Sequence, residues 1–394
     1  MNAAALPAEF RLGAACCIWP PGERRNRAIR AAAAGAIDWD AFLRFVRRQR
    51  IAGLANDGLK SAEIAVPPDA AAALTIEAGA IAKQALQLAS EALRLQAAFD
   101  TAGIPALFVK GSALAVLAYG NLGIKHAWDI DLLVTPSDVR QACALLEGAG
   151  YTRIMPPASF ADERFHAWLE FAREGIFHNA ARHSHVELHW RLSDNRTQLA
   201  DVTARSPANS VAISPRHPPL RTLCDEDLFA YLCLHGAHHA WARMKWLADL
   251  AAWLSGKPPA EIARLYAVAD AHRAGRAAAQ ALLLCADLFG LPLPAPLAEE
   301  MRADRATRWL VAIALEAMTG ERLLHNFKIE GSHFLLAPGF GHWLAELQSK
   351  SVGWTDFQAV QLPRPLYFLY PILRLPSWVW RRLTEALKPG QPAA

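Results

Sequence analysis

Two carboxylates one residue apart, Asp129-Ile130-Asp131, head the apolar run Leu132-Leu133-Val134. On an extended chain, side chains at i and i+2 point the same way, so Asp129 and Asp131 share a face. Carboxylates that close repel each other and call for a cation between them. An oxygen-only donor set suits Mg2+, with Mn2+ as its substitute. Upstream, Gly111-Ser112 reads as a turn at a helix start, where free backbone N–H groups suit phosphate. The two features together are what metal-assisted transfer from a nucleoside triphosphate requires.

A third acid lies downstream. His185-Val186-Glu187-Leu188-His189-Trp190 alternates polar and apolar as a half-buried strand does, with His185, Glu187 and His189 on one face. If this strand neighbours that of Asp129, Glu187 joins the pair, either completing a second metal site or accepting a proton. Glu174 and Asp194 are the other candidates for that third position. His185 and His189 read as supporting or surface residues, since Zn2+ would want thiolates or a tighter histidine set.

These residues need elements to hold them. Residues 1–102 read as helical, with a start signal at Ile37-Asp38-Trp39-Asp40 and a long Ala/Leu-rich helix over 70–102 that would pack through Leu86, Leu88, Leu93 and Leu95. Gly103-Ile104-Pro105 breaks that helix. A short strand at 106–109 then turns through Lys110-Gly111-Ser112 into a helix over 113–119. A second strand is expected over 128–134, a helix over 139–149, another over 165–176, and the Glu187 strand over 185–190. Residues 225–320 return to helical patterning, starting at Asp225-Glu226-Asp227. Beyond Gly331 the chain is rich in Pro and aromatic residues. The expected fold is α+β: a small mixed sheet (103–222) between an N-terminal helical region (1–102) and a helical region closing the cleft (223–330), with 331–394 as a separate C-terminal segment.

Composition sets limits. The chain has 394 residues, 53% hydrophobic and 20% charged, with formal net charge +4. That is ordinary globular composition, and too mild a positive charge to argue for nucleic acid. Arg24, Arg25, Arg27 and Arg30 form one basic group, and Arg44, Arg47, Arg48 and Arg50 another. Both read as solvated helix faces, with an anion site as the sharper alternative. Six scattered cysteines without a CxxC pair suit reduced thiols in a cytoplasm. No signal peptide and no spanning helix is expected. His235, His238 and His239 share helical spacing and read as residues satisfying buried polar groups. Lys245 and Asp249, at i and i+4, read equally as an intrahelical ion pair or as a triphosphate-binding lysine oriented by its partner. The aromatic-basic tail, 366–387, reads as docking on the protein's own core.

The segment Lys110-Gly111-Ser112 through Asp129-Ile130-Asp131-Leu132-Leu133-Val134 resembles the DNA polymerase β-type nucleotidyltransferase superfamily. More narrowly, the chain resembles a bacterial family of uncharacterised nucleotidyltransferases with long helical flanks. The motifs are a KGxxL…YG…DIDLLV core, an acid before HW (Glu187-Leu188-His189-Trp190), and His235-Gly236 with Lys245 to Leu250. The resemblance implies a polymerase β-like core that transfers a nucleoside monophosphate to a hydroxyl or phosphate acceptor, with Mg2+ required and pyrophosphate released. Asp129, Asp131 and Glu187 would be the catalytic and metal-holding acids, and Gly111 and Ser112 would cradle the β and γ phosphates. The full nucleotide-binding set is Lys110, Gly111, Ser112, Lys125 and Lys245. Lys125 stands where the family often has Arg, and 16 residues separate Ser112 from Asp129, more than is usual in the wider superfamily. The acceptor is left open among small molecules, peptides and proteins. A non-catalytic nucleotide- or partner-binding module and a phosphotransferase are the rival readings.

Overall fold

The computed structural model describes residues 6–351 except 161 and 321–325, and beyond 351 residues 357, 360, 362, 364–370 and 372–374. Much of the 366–387 tail therefore lies outside the described residues. Within it, Tyr370 is buried and packs on Phe171 and Phe357, so this part does dock on the core.

Five helices come first: α1 (Ala8–Cys16), α2 (Glu23–Ala32), α3 (Trp39–Gln49), α4 (Ala52–Ser61) and α5 (Pro68–Thr101). Asp38 caps α3 by accepting from the Ala41 amide, and Pro68 opens α5, where its missing N–H costs nothing. Leu88, Leu93 and Leu95 of α5 are buried, but Leu86 is 58% exposed. The expectation that all four pack is corrected: Leu86 lies two turns before Leu93 on nearly the same side of α5, so its exposure reflects what covers each turn of this long helix and not the 3.6-residue repeat.

The sheet segment follows: β1 (Leu107–Phe108), α6 (Gly111–Tyr119), β2 (Ile130–Leu133), α7 (Val139–Gly148), β3 (Thr152–Met155), α8 (Asp162–Phe171), β4 (Glu174–Asn179), β5 (Ser184–His189), β6 (Ala208–Val211) and β7 (Leu220–Leu223). The main sheet is mixed, in the order β1-β2-β5-β4-β3, and β6 pairs with β7 separately. β2 and β5 run parallel with Asp131 opposite Glu187, and β4 lies antiparallel to β5 with Glu174 opposite His189. The helix expected over 165–176 stops at Phe171. In β4 the buried positions are Gly175, Phe177 and Asn179, so a glycine and an asparagine hide the alternation that marks a strand.

Among the described residues eight more helices follow: α9 (Asp225–His238), α10 (Met244–Leu254), α11 (Pro259–Ala271), α12 (Gly275–Phe289), α13 (Ala295–Ala303), α14 (Arg305–Thr319), α15 (Asn326–Ser332) and α16 (Phe340–Ser351), with a 3-10 turn at Arg364–Leu369. One apolar core joins α1–α4 to α9, α10, α12 and α14, and a second packs α5, α7 and α8 on the sheet. The architecture is α+β. No described helix is long and apolar enough to cross a membrane.

Arg24, Arg27, Arg30, Arg44 and Arg47 are exposed, as solvated helix faces would have them, but Arg25, Arg48 and Arg50 are not. Arg25 is buried against Asp57 at 2.8 Å, and Arg24 donates to the carbonyls of Phe289 and Gly290. A wholly solvated face is therefore corrected, because these side chains fasten α2 to its neighbours. The helical flank also sets the loop between α6 and β2. A Cβ on Gly53 of α4 would meet the Ile124 carbonyl at 2.4 Å, so only glycine lets this loop approach. Gly53→Ala is expected to cost about 1–3 kcal/mol, read as a lower urea midpoint. An unchanged midpoint would show that the contact has slack.

Candidate active site

The turn from β1 into α6 is made by Lys110 and Gly111. Gly111 has φ +60°, a left-handed conformation that a side chain would strain. This turn, with β2, β5 and the start of α10, encloses a cavity of about 240 Å3. Asp129, Asp131, Glu187, Lys110, Gly111, Lys125 and Lys245 all line it. Ser112 does not: it is buried behind the turn. The parallel pairing of β2 with β5 is what brings Asp131 and Glu187 together.

Asp131 is almost fully buried, and its surroundings are cationic. Lys110 Nζ lies 2.8 Å and His189 Nε2 3.3 Å from its Oδ1. Burial opposes ionisation, but Lys110 and His189 outweigh it and hold this carboxyl well below the usual range. Asp129 goes the other way: burial first, then the Asp131 charge, raises it. Lys110 therefore points at the acids. Burial disfavours its charge, and Asp131 more than compensates.

His189 corrects the sequence reading. It is 1% exposed, not a surface residue. Its Nδ1 lies 3.2 Å from Glu174 Oε2, and its Nε2 3.6 Å from Glu187 Oε2. Buried though it is, contacts with Asp131, Glu174 and Glu187 favour its protonated form. Of the rival third acids, Glu174 is held between Arg173 and His189, and Asp194 is mostly exposed beside Arg173 at 3.4 Å. His185 lies farther along β5, stacked on His178.

The donor set fits a divalent cation. Asp131, Glu187 and His189 offer atoms within 4.8 Å of one another. Asp131 Oδ2 is buried without a hydrogen-bond partner, a cost that a cation would relieve. Two carboxylates and one imidazole, with Asp129 beside them, suit Mg2+ or Mn2+, and the nitrogen leans toward Mn2+.

The helical flanks supply the opposite wall. Asp249 does not pair with Lys245. It binds Lys125 at 3.5 Å and accepts from Tyr119 at 2.9 Å, so the intrahelical pair is corrected. Lys245 is left with the His126 carbonyl at 3.3 Å. Burial, then repulsion from Lys125, pushes its ammonium down to about 7. Arg50, in the basic group read as a solvated face, lines the cavity from the end of α3 with φ +56°. Arg173 lines it too. No motif marks either residue. A non-glycine residue in the left-handed region is visible only once the chain is folded. His235 and His239 also line the cavity, and burial holds both uncharged, His239 at about 4.

The lining carries five basic residues (Arg50, Lys110, Lys125, Arg173, Lys245) and five acids (Asp129, Asp131, Glu174, Glu187, Asp249). A polyanion such as a triphosphate entering a balanced cavity needs added positive charge, which divalent cations supply.

A family model described as an uncharacterised nucleotidyltransferase matches residues 35–290. No curated protein and no solved structure matches the chain.

Lys245 gives the site a pH signature. Its folded value is about 7 against an ordinary 10.5, so between these the unfolded chain holds a proton that the folded chain has given up. Stability then rises with pH across that window, by at most about 1.4 kcal/mol per unit. Lys245→Met is expected to be the more stable protein at pH 7 and to lose that slope, with the two curves converging toward pH 10. Parallel denaturation profiles for the two proteins would overturn this.

Proposed function

Since the chain belongs to this uncharacterised nucleotidyltransferase family, we propose that it transfers a nucleoside monophosphate from a nucleoside triphosphate to a hydroxyl or phosphate acceptor, on a polymerase β-like core, with a divalent cation. The observation that carries this reading is the pairing of Asp131 with Glu187 across β2 and β5 beside an unpartnered buried carboxylate oxygen. The Gly111 turn and the cationic wall face it across one cavity.

In the reaction, an acceptor oxygen forms a bond to the α-phosphorus. The bond from that phosphorus to the oxygen bridging to the β-phosphate breaks, and its electron pair leaves on pyrophosphate. A bound Mg2+ or Mn2+ supplies charge neutralisation and polarisation of the phosphoryl oxygens. Asp129, Asp131, Glu187 and His189 would hold it, His189 as the neutral imidazole after giving up its proton. Glu187, at 30% side-chain exposure, takes the acceptor's proton. The free amides at the start of α6 receive phosphate oxygens. Lys245 and Arg50, which no carboxylate salt-bridges among the described residues, pair with the triphosphate, and Lys245 regains its full charge there. Lys125 is fixed by Asp249 as a positioned point charge.

One observation favours the rival reading of a binding module. Lys110 and His189 already balance Asp131, so the acids can persist without a metal. Pyrophosphate release from each of four α-labelled NTPs, with Mg2+ or Mn2+, separates the readings. The expected result is metal-dependent pyrophosphate, with Asp131→Asn and Glu187→Gln each losing about 1000-fold or more, roughly 4 kcal/mol of transition-state stabilisation. Nucleotide binding that yields no product and survives Asp129→Asn would favour the module, and NDP in place of pyrophosphate a phosphotransferase. Metal binding is read separately. Mn2+ followed by electron paramagnetic resonance is expected to bind wild type and to weaken about tenfold or more in Asp131→Asn and His189→Ala. Equal Mn2+ affinity in all three proteins would remove these residues from the metal site.

A further inference from the structure

A second cavity, about 580 Å3, adjoins the first. Arg173, His235, His239 and Trp246 line both, so a molecule in one lies a side chain away from the other. Asp129, Asp131 and Glu187 line only the first. The far wall of the second, at His333, Glu346 and Lys350, comes from beyond residue 290, outside the part matched by the family model.

The charges of this chamber do not cancel: Arg173, Arg243, Lys350 and Arg374 line it against three acids. Its acids are Asp194, Glu330 and Glu346. Asp194 pairs with Arg173 at 3.4 Å, and Glu330 with Lys350. Glu346 is buried and held by Lys350 at 3.1 Å, His333 at 3.4 Å and Asn195 at 2.9 Å. Arg243, on the same wall, has no carboxylate partner among the described residues. One of its N–H groups donates to the Arg48 carbonyl. The charges that act on it are the cations of Arg50 and Arg48. It also stands at the cap of α10, whose first-turn N–H groups add positive potential. The rest of the joint is ring-rich and polar. His239 stacks on Trp246 at 5.0 Å, and His235 meets the same indole edge-on at 5.4 Å. Uncharged imidazoles both donate and accept, as hydroxyl groups require, and an indole offers an apolar face beside them.

We propose that the second cavity is the acceptor site and takes an anionic polyol, a sugar phosphate or sugar acid, whose charge pairs with Arg243 and whose hydroxyl reaches the α-phosphate at the joint formed by Arg173, His235, His239 and Trp246. The word acceptor rests on the nucleotidyl-transfer reading; the preference for an anionic polyol is a property of the chamber alone.

The test is calorimetric binding to the full chain, without nucleotide or metal, using glucose 6-phosphate, glucuronate, glucose and glucosamine as probes. The first two are expected to bind about tenfold or more tightly than glucose, with glucosamine weakest. The first pair also decides between phosphate and carboxylate as the better anion. Arg243→Gln should erase that margin, while Arg243→Lys, which keeps the charge, retains most of it and guards against a folding defect. With a non-hydrolysable ATP analogue and Mg2+ at saturation, glucose 6-phosphate should still bind. Equal affinity for the four probes, no binding, a preference that survives Arg243→Gln, or displacement by the ATP analogue would each overturn the proposal. Pyrophosphate release is measured apart. Its absence with every NTP defeats the nucleotidyl-transfer reading without touching the binding result. Release to water that bound anionic polyols fail to stimulate defeats the acceptor role.

Discussion

Negative charge gathered at one end of a sheet is the constraint on which the rest of this structure depends. The parallel pairing of β2 and β5 sets Asp131 beside Glu187, Asp129 enters from the residue just before β2, and β4 adds Glu174 opposite His189. Two unit charges about 4 Å apart interact by about 4 kcal/mol at an effective dielectric of 20. Such a cluster stays ionised only if cations surround it. Lys110 and His189 meet Asp131, and Arg173 meets Glu174. Each lies on the sheet or its adjoining turn, so the sheet carries acid and counter-charge together.

The helical flanks bring a different kind of cation. Lys245 and Arg50 face the cavity from α10 and from the end of α3, and among the described residues neither forms a salt bridge with a carboxylate. Burial of the Lys245 ammonium beside Lys125 works against folding, the mark of a group placed for a ligand rather than for stability. The close approach of α4 to the loop carrying Lys125, allowed by Gly53, ties the N-terminal helices to the same wall. The acids and the cations that face them thus come from segments far apart in the chain, held by two apolar cores.

The two chambers divide along the same physical line. The first is crowded with paired charges around the acids, as suits a metal and a polyphosphate. The second offers imidazoles, an indole and the Arg243 guanidinium, which meets no carboxylate among the described residues. Arg173, in their common wall, is salt-bridged to Glu174 on one side and Asp194 on the other.

By itself, the sequence determined the local elements and the types of residue at the chemistry. Asp129-Ile130-Asp131, the Gly111 turn, the alternation around Glu187 and the α+β order were legible because each is a short-range pattern with period 2 or 3.6, or a turn with its own residue chemistry. β4 was not, since glycine and asparagine hold its buried positions. Nor were the partnerships. That His189 is buried among three carboxylates, that Asp249 serves Lys125 rather than Lys245, and that Arg50 leaves its basic neighbours to enter the site depend on which strands pair and where helices pack. Those are long-range contacts, and residue spacing along the chain does not encode them one by one. Only the tertiary structure decides which charge faces which, because Coulomb energy and burial depend on distance in space.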